Sequence, residues 1–291
     1  MIKIVADSTC DLGPELIAKY DIQILPLHVI LGDREFLDGL TITPEEIYKW
    51  SDEHKTTPKT SAVSLDTTMD LFKSIVDAGD EIIAFSISDD MSTTGNVMRL
   101  AAEELGASDK ISVINSMSLS TGIGLQVLYA AELVQKGMER SRVVSYIESE
   151  IRPYVSASFV VDQLTYLHRG GRCSSVAALA GSVLKLHPEI NVVNGKMGAG
   201  KKFRGNYSRI LMDYAKEQET KLLNARKGRV FITTSGQCDA EIEAVKAYLE
   251  SLHYFDEILV TRAGSVISSH CGPKTLGVLY IQGRIDRMLQ A

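Results

Sequence analysis

The chain of 291 residues is about twice the commonest domain length, enough for one large or two medium hydrophobic cores. With 45% hydrophobic and 23% charged residues it is too apolar to stay disordered and too charged for a membrane bundle. Its 31 Lys and Arg against 37 Asp and Glu leave a net charge of −6, a balance that does not advertise the basic face of a general nucleic-acid binder and disfavours that function.

An apolar run at 2–6 is stopped by Asp7, so the chain opens on a short strand and not on a signal peptide. No run of about twenty apolar residues follows, and no stable membrane insertion is expected. Asp-Ser-Thr-Cys-Asp-Leu-Gly-Pro is a loop leading into a helix at 15–20. The β-rich run 22–31, followed by Gly32-Asp33 and Phe36, predicts a hairpin. At Thr43-Pro44-Glu45-Glu46, an N-cap Thr, Pro at the first helical position and Glu at the third form a capping box for a helix through Trp50. A polar loop at 55–64 precedes a helix at 67–78, a strand at 81–88 and a Ser/Thr-rich loop. A helix at 96–105, a strand at 111–115 and a helix at 121–136 follow. Strands separated by such helices pair in parallel through right-handed crossovers, so residues 1–153 read as a layered α/β domain. Ligands of such sheets bind at the carboxyl ends of the strands, which singles out the loops after Ala6, Ser88 and Asn115.

Beyond Arg152-Pro153 the pattern changes. Short β-branched runs at 158–161, 190–193, 230–233, 258–260 and 276–281 are separated by few helices, predicted at 174–184, 207–223 and 240–252. Asn194-Gly195 is a hairpin signal. Residues 154–291 therefore read as an α+β domain with an antiparallel or mixed sheet. The four cysteines, Cys10, Cys173, Cys238 and Cys271, form no C-x-x-C pair and read as reduced thiols of a cytoplasmic protein.

Most catalytic motifs are missing. Gly195-Lys-Met-Gly-Ala-Gly-Lys201 fits seven places of a phosphate-binding loop, but Lys202 stands where Ser or Thr must meet Mg²⁺, and the Asn-Gly turn explains the glycines more simply. Gly122-Ile-Gly124 lacks the third glycine of a dinucleotide fingerprint. There is no G-x-S-x-G elbow and no H-E-x-x-H.

The chain does carry small hydroxylated and glycine-rich loops: Asp7-Ser8-Thr9, Thr60-Ser61, Ser92-Thr93-Thr94-Gly95, Gly170-Gly171-Arg172 and Ser269-His270-Cys271-Gly272-Pro273. Glycines let backbone approach a ligand, hydroxyls donate hydrogen bonds, and one Arg with one His can neutralise a small anion. Turns and caps use the same residue types, and composition alone leaves the choice open.

In order and over nearly the whole chain these segments resemble the DegV family, bacterial proteins that bind one fatty acid. The pieces that match are Val5-Ala6-Asp7-Ser8, Leu25-Pro26-Leu27, Thr60-Ser61-Ala62-Val63-Ser64, Ile87-Ser88 with Met91-Ser92 and Thr94, and His270-Cys271-Gly272-Pro273. The most diagnostic is Leu164-Thr-Tyr-Leu-His-Arg-Gly-Gly-Arg172. The resemblance implies two domains enclosing one acyl chain of roughly 14 to 18 carbons, with no other cofactor and no metal. Its carboxylate would meet Thr60, Ser61, Ser92, Thr93, Arg172 and His270. Burying about 14 methylenes at roughly 0.8 kcal/mol each supplies about 11 kcal/mol gross, enough to exceed the cost of association. The resemblance also implies a partner: a separate ATP-dependent fatty acid kinase that makes an acyl phosphate for phospholipid synthesis. The chain itself would then need no nucleotide site, in agreement with the motif search.

Where the family motif reads Ser-Gly-Thr-Tyr-Gln, this chain has Ser92-Thr93-Thr94-Gly95-Asn96, and Lys274 replaces a glycine. A second reading keeps the architecture but makes it a small-molecule enzyme, with Ser92 as nucleophile and His270 as base. Lys196, Lys201, Lys202 and Arg204 crowd beside the predicted hairpin turn, a basic loop suited to docking an acidic partner surface.

Overall fold

Pairing alternates with chemistry along the chain, and in the computed structural model, which describes residues 1–177, 186–236 and 238–283, it builds three sheets. The first half contributes β1 (Ile2–Asp7), α1 (Pro14–Tyr20), β2 (Gln23–Leu25), β3 (His28–Leu31), β4 (Arg34–Leu37), α2 (Pro44–His54) and β5 (Lys59–Ser61). It continues with α3 (Leu65–Asp77), β6 (Glu81–Ser86), α4 (Thr94–Glu104), β7 (Ile111–Asn115), α5 (Thr121–Gln135) and α6 (Arg140–Tyr146). Strands β2-β1-β6-β7 form a wholly parallel sheet, as the helical spacing predicts. The capping box at Thr43 is present, with Thr43 N–H donating to Glu46 Oε2 at 2.8 Å.

Two expectations change here. The 22–31 run is not one strand: Pro26 removes a backbone donor, so β2 stays in the parallel sheet while β3 leaves it. The 55–64 loop contains β5, which pairs antiparallel with β3, and β4-β3-β5 make a separate ribbon. Lys-Thr-Ser is too polar to announce a strand; only its partner reveals it.

After a π-helical turn at Ile147–Ile151 and a 3₁₀ turn at Arg152–Tyr154, which the sequence patterns do not signal, the second half begins with β8 (Val155–Val160). Then come α7 (Leu164–Gly170), α8 (Ser174–Ala177), β9 (Leu186–Val193), β10 (Lys196–Arg204), α9 (Tyr207–Glu217) and α10 (Glu219–Leu222). The chain continues with β11 (Ala225–Thr234), α11 (Asp239–Ser251), β12 (Glu257–Arg262), α12 (Ser265–Cys271) and β13 (Leu276–Gln282). Of the helix expected at 174–184, residues 178–184 lie outside the described residues. The predicted 207–223 helix is broken into α9 and α10 at Gln218.

The second large sheet, β10-β9-β8-β13-β11-β12, is mixed: β11 and β12 run parallel and the other pairs antiparallel. The Asn194-Gly195 turn joins β9 to β10, so the phosphate-loop look-alike lies in an antiparallel strand that runs on to Arg204, and the next helix starts only at Tyr207.

One hydrophobic core runs from Ile83 and Ile114 of the parallel sheet, through Ile123, Val127 and Leu128 of α5, to Phe159, Phe231 and Leu279 of the mixed sheet. Helix α5 is apolar on nearly every face because it is packed on both sides. Its buried Gln126 donates from Nε2 to Ser116 O and Gly122 O, both at 3.0 Å, while its Oε1 is left without a partner among the described residues. At the far end Arg229 of β11 pairs with Glu132 of α5 and, at 2.6 Å, with Glu257 of β12.

Candidate functional site

Where the ribbon, α4, α7 and α12 meet, a cavity of about 430 Å³ opens at the carboxyl end of the parallel sheet, within the range of small-molecule sites. Thr60, Ser61, Ser92, Thr93, Arg172 and His270 all line it, although 210 residues separate Thr60 from His270. Each is placed by a different device. Thr60 is held opposite Val29 in the β3–β5 ladder. Ser92 and Thr93 stand at the N-terminal end of α4, where backbone N–H groups favour anions. Arg172 follows Gly171, whose φ of +68° ends α7 in a left-handed cap. His270 stands in the last turn of α12.

Apart from Asp89 and Asp90 the remaining walls are apolar: Leu27, Ile87, Met91, Leu119, Met197, Val266, Ile267 and Cys271 among them. Beyond Leu119, Ile267 and Cys271 a small void of about 20 Å³ reaches towards Phe159 and Leu279 of the mixed sheet. The hydroxyls around this void bond to their own surroundings, Thr234 to Cys238 Sγ at 2.9 Å and Ser235 to Gly272 O. What they leave facing the void is largely hydrocarbon.

Charge in the cavity is arranged unevenly. Asp89 pairs with Arg99 at 2.8 Å and Asp90 with Lys196 at 3.4 Å. Arg172 donates to Gly170 O at 2.7 Å and forms no ion pair among the described residues, so its guanidinium keeps donors for an anion. Burial, and after it the Arg172 charge, lower His270 from 6.5 to about 4, so the ring is neutral at pH 7. Its Nε2 lies 2.8 Å from Thr60 Oγ1. Ser92 Oγ instead meets Thr94 Oγ1 at 3.0 Å. The Ser92–His270 pair of the enzyme reading is therefore not formed; each hydroxyl and ring has another partner.

Two further expectations are corrected. Asp7-Ser8-Thr9, taken with the ligand loops, does not line the cavity: Asp7 is buried and accepts from Thr9 N at 2.9 Å and Ile87 N at 2.7 Å, while Ser8 donates to Asp38 at 2.8 Å. And the 269–273 segment is not a loop through His270: residues 269–271 are the end of the buried helix α12, which Gly272 caps. The start of α12 is clamped by two carboxylates: Asp11 accepts from Gly264 N at 2.8 Å and Asp38 from Ser265 N at 2.6 Å. A Cβ at Gly264 would come within 2.9 Å of Asp38 Oδ1, so only glycine fits beneath the clamp. At Gly95, in the first turn of α4, a side chain would collide with Asp89. The basic cluster is spread along β10: Lys196 pairs with Asp90 of the cavity wall, Lys201 pairs with Glu217, and Lys202 and Arg204 are exposed without an ion pair among the described residues.

The buried neutral histidine predicts a pH dependence. Unfolded, His270 binds its proton near pH 6.5; folded, only near 4. Its contribution to stability is complete above 6.5 and is lost as pH falls through about 4. Asp7 has the opposite sign, because burial raises its carboxyl to about 6 and its contribution fades as pH rises through that value. His270→Gln is expected to lose less stability than the parent between pH 6.5 and 4, by about 3 kcal/mol at most. Denaturant melts at paired pH values check this, and equal losses contradict it.

Two α/β layers share one core, and where they meet lies a pocket at which Arg172 has no ion-pair partner among the described residues, the architecture of a class of small-molecule-sized clefts. The chain belongs to the DegV family: the family model described as "Uncharacterised protein, DegV family" matches residues 1–283. A DegV domain-containing protein of Deinococcus radiodurans is 32% identical over 278 residues, covering 95% of this chain and 97% of that one. Among solved structures, a DegV family protein of Thermus thermophilus described by its fatty acid binding superposes with a TM-score of 0.88. It is 28% identical over 97% of this chain and 99% of its own. A stearic acid-binding protein of Eubacterium ventriosum gives 0.83 at 29% identity, over 97% and 98%. Among the described residues no helix is long and apolar enough to cross a membrane.

Proposed function

We propose that this chain binds one long-chain fatty acid, of about 14 to 18 carbons, and presents its carboxylate to a separate ATP-dependent fatty acid kinase in the cytoplasm. The observation that carries the binding is the convergence of Thr60, Ser92, Arg172 and His270, from four distant segments, on one cavity with a largely apolar interior. Ser61 and Thr93 complete the polar end. The acyl chain runs past Leu119, Ile267 and Cys271 between a domain of residues 1–153 and one of residues 154–291. The fatty acid ligands of the Thermus thermophilus and Eubacterium ventriosum relatives support the choice of ligand. The carboxylate end is the open one, which suits transfer of a phosphoryl group from another protein. Organic extraction and mass spectrometry of the purified protein test the binding.

The kinase docks through the basic strand, with Lys201, Lys202 and Arg204 steering an acidic surface. Because Lys201 is already paired with Glu217, Lys202 and Arg204 carry most of the free charge. Reversing both to Glu is expected to slow acyl phosphate formation several-fold at low salt and less at high salt, with fatty acid affinity unchanged. Equal rates at all ionic strengths would move the docking surface elsewhere.

A further inference from the structure

We propose that strand β12 is an interaction surface for a second copy of this chain. The two β12 strands pair antiparallel, edge to edge, with Leu259 on the two-fold axis and Asp256 of each copy opposite Arg262 of the other. The inference goes beyond the ligand reading and does not depend on what fills the cavity.

The mixed sheet ends in two edges that are built differently. At one, β10 carries a register shift between Ala199 and Lys202 and the side chains of Lys196, Lys201, Lys202 and Arg204. Bulges and positive charges of this kind keep an edge from pairing. At the other, β12 holds an unbroken register with β11 from Glu257 to Arg262 and has no proline, no lysine and three apolar residues at its centre. No strand lies on its outer side among the described residues, and Val260 is 43% exposed. An edge left this regular is a template for another strand.

Backbone geometry fixes how a second copy would pair. Asp256 N–H donates to Lys227 O at 2.8 Å, and the parallel register sets Glu257 beside Arg229. Alternate residues of a strand turn their backbone groups to the same side. Asp256, Ile258, Val260 and Arg262 therefore face β11, while Glu257, Leu259 and Thr261 hold N–H and C=O outward. Centred on Leu259, a two-fold pairing joins Leu259 to Leu259 and Glu257 to Thr261, using only outward groups. Centred on Val260, it would need the N–H of Ala263, which is already given to Thr234 O at 2.8 Å. Centred on Ile258, it would set the Asp256 carboxylate against Val260 instead of a cation.

The Leu259 register also matches the side chains. Between its hydrogen-bonded pairs lie the closer, non-hydrogen-bonded ones, Ile258 with Val260 and Asp256 with Arg262. Val260 is thus covered by the half-buried Ile258 of the other copy. Asp256 is exposed and has no ion pair among the described residues. Arg262 reaches Glu45 at 3.3 Å and Asp239 at 3.6 Å, both exposed, and its guanidinium has donors left for a further carboxylate. An isologous pairing consumes both free edges and closes, and β10, the strand proposed to meet the kinase, stays at the outer end of each sheet.

Sedimentation velocity of the full chain over a range of concentrations tests the pairing. The expected result is a reversible equilibrium between one chain and two, with no larger species. Val260→Lys, at an exposed position, is expected to weaken the dimer about tenfold or more, because symmetry counts each altered pair twice. Asp256→Arg and Arg262→Glu should each sediment as single chains, and an equimolar mixture of the two should recover the dimer, since only the mixed pair sets unlike charges opposite. A folding defect would not be cured by mixing; melting temperatures are recorded for each variant, and if Arg262→Glu fails to fold, Val260→Lys decides. A single chain at every concentration overturns the proposal. So does a dimer that Val260→Lys leaves at the parent's strength, a mixture of folded charge variants that stays monomeric, or growth into larger species.

Discussion

Arg172→Ala should weaken fatty acid binding about 10- to 150-fold while leaving thermal stability within a degree or two. Its guanidinium is the cation of the cavity without an acidic partner among the described residues, and its one protein hydrogen bond is to Gly170 O at 2.7 Å. A charge-assisted hydrogen bond to a carboxylate contributes roughly 1.5–3 kcal/mol, which converts to that range of affinity. Because Arg172 is exposed, solvent and salt screen it, and the loss should fall towards the lower end as ionic strength rises. Isothermal titration of palmitate at two salt concentrations reads both effects. An unchanged dissociation constant would mean that the carboxylate does not reach the α7 loop.

A second large effect is expected from Ile267→Phe. Ile267 is buried on α12 where the cavity narrows to the void beside Phe159 and Leu279. The larger ring fills that junction and denies it to the end of an acyl chain. If about four methylenes lose their burial at roughly 0.8 kcal/mol each, a long acid is weakened about 100-fold or more. Octanoate, which ends short of the junction, should change by less than about threefold. Overpacking costs about 1–3 kcal/mol of stability, so the melting temperature is measured alongside. Equal losses for long and short acids would place the chain on another route.

How much of this was legible beforehand depends on whether the information was local. The capping box at Thr43, the Asn194-Gly195 hairpin and the helix-separated strands of the parallel sheet carry their instructions in a few neighbouring residues, and the structure keeps them. Helix α12 does not. Ser-Val-Ile-Ser-Ser-His-Cys has β-branched residues and serines and no strong helix former. It is helical because Asp38 and Asp11 cap it from 227 and 253 residues away. The same long reach hides the task of Asp7-Ser8-Thr9, which looks like a ligand loop and instead anchors Ile87 and, through Ser8, Asp38. Strand β5 and the break at Pro26 likewise follow from which neighbour is available for pairing. The six candidate residues that share one cavity were named from the order the resemblance supplied; residue chemistry alone left Ser92 and His270 open to a nucleophile and its base, and only the geometry gives His270 to Thr60.

The central claim, one fatty acid enclosed by one chain, meets its most direct test in native mass spectrometry of the protein purified from a bacterial host without added lipid. A pocket walled by Leu119, Met91, Met197 and Ile267 is costly to leave wet, so the expected spectrum shows one adduct per chain. On denaturation that adduct should appear in the organic extract as free acids of about 14 to 18 carbons. A spectrum at the mass of the bare chain, together with no saturable uptake of palmitate or stearate by the delipidated protein, would contradict the account.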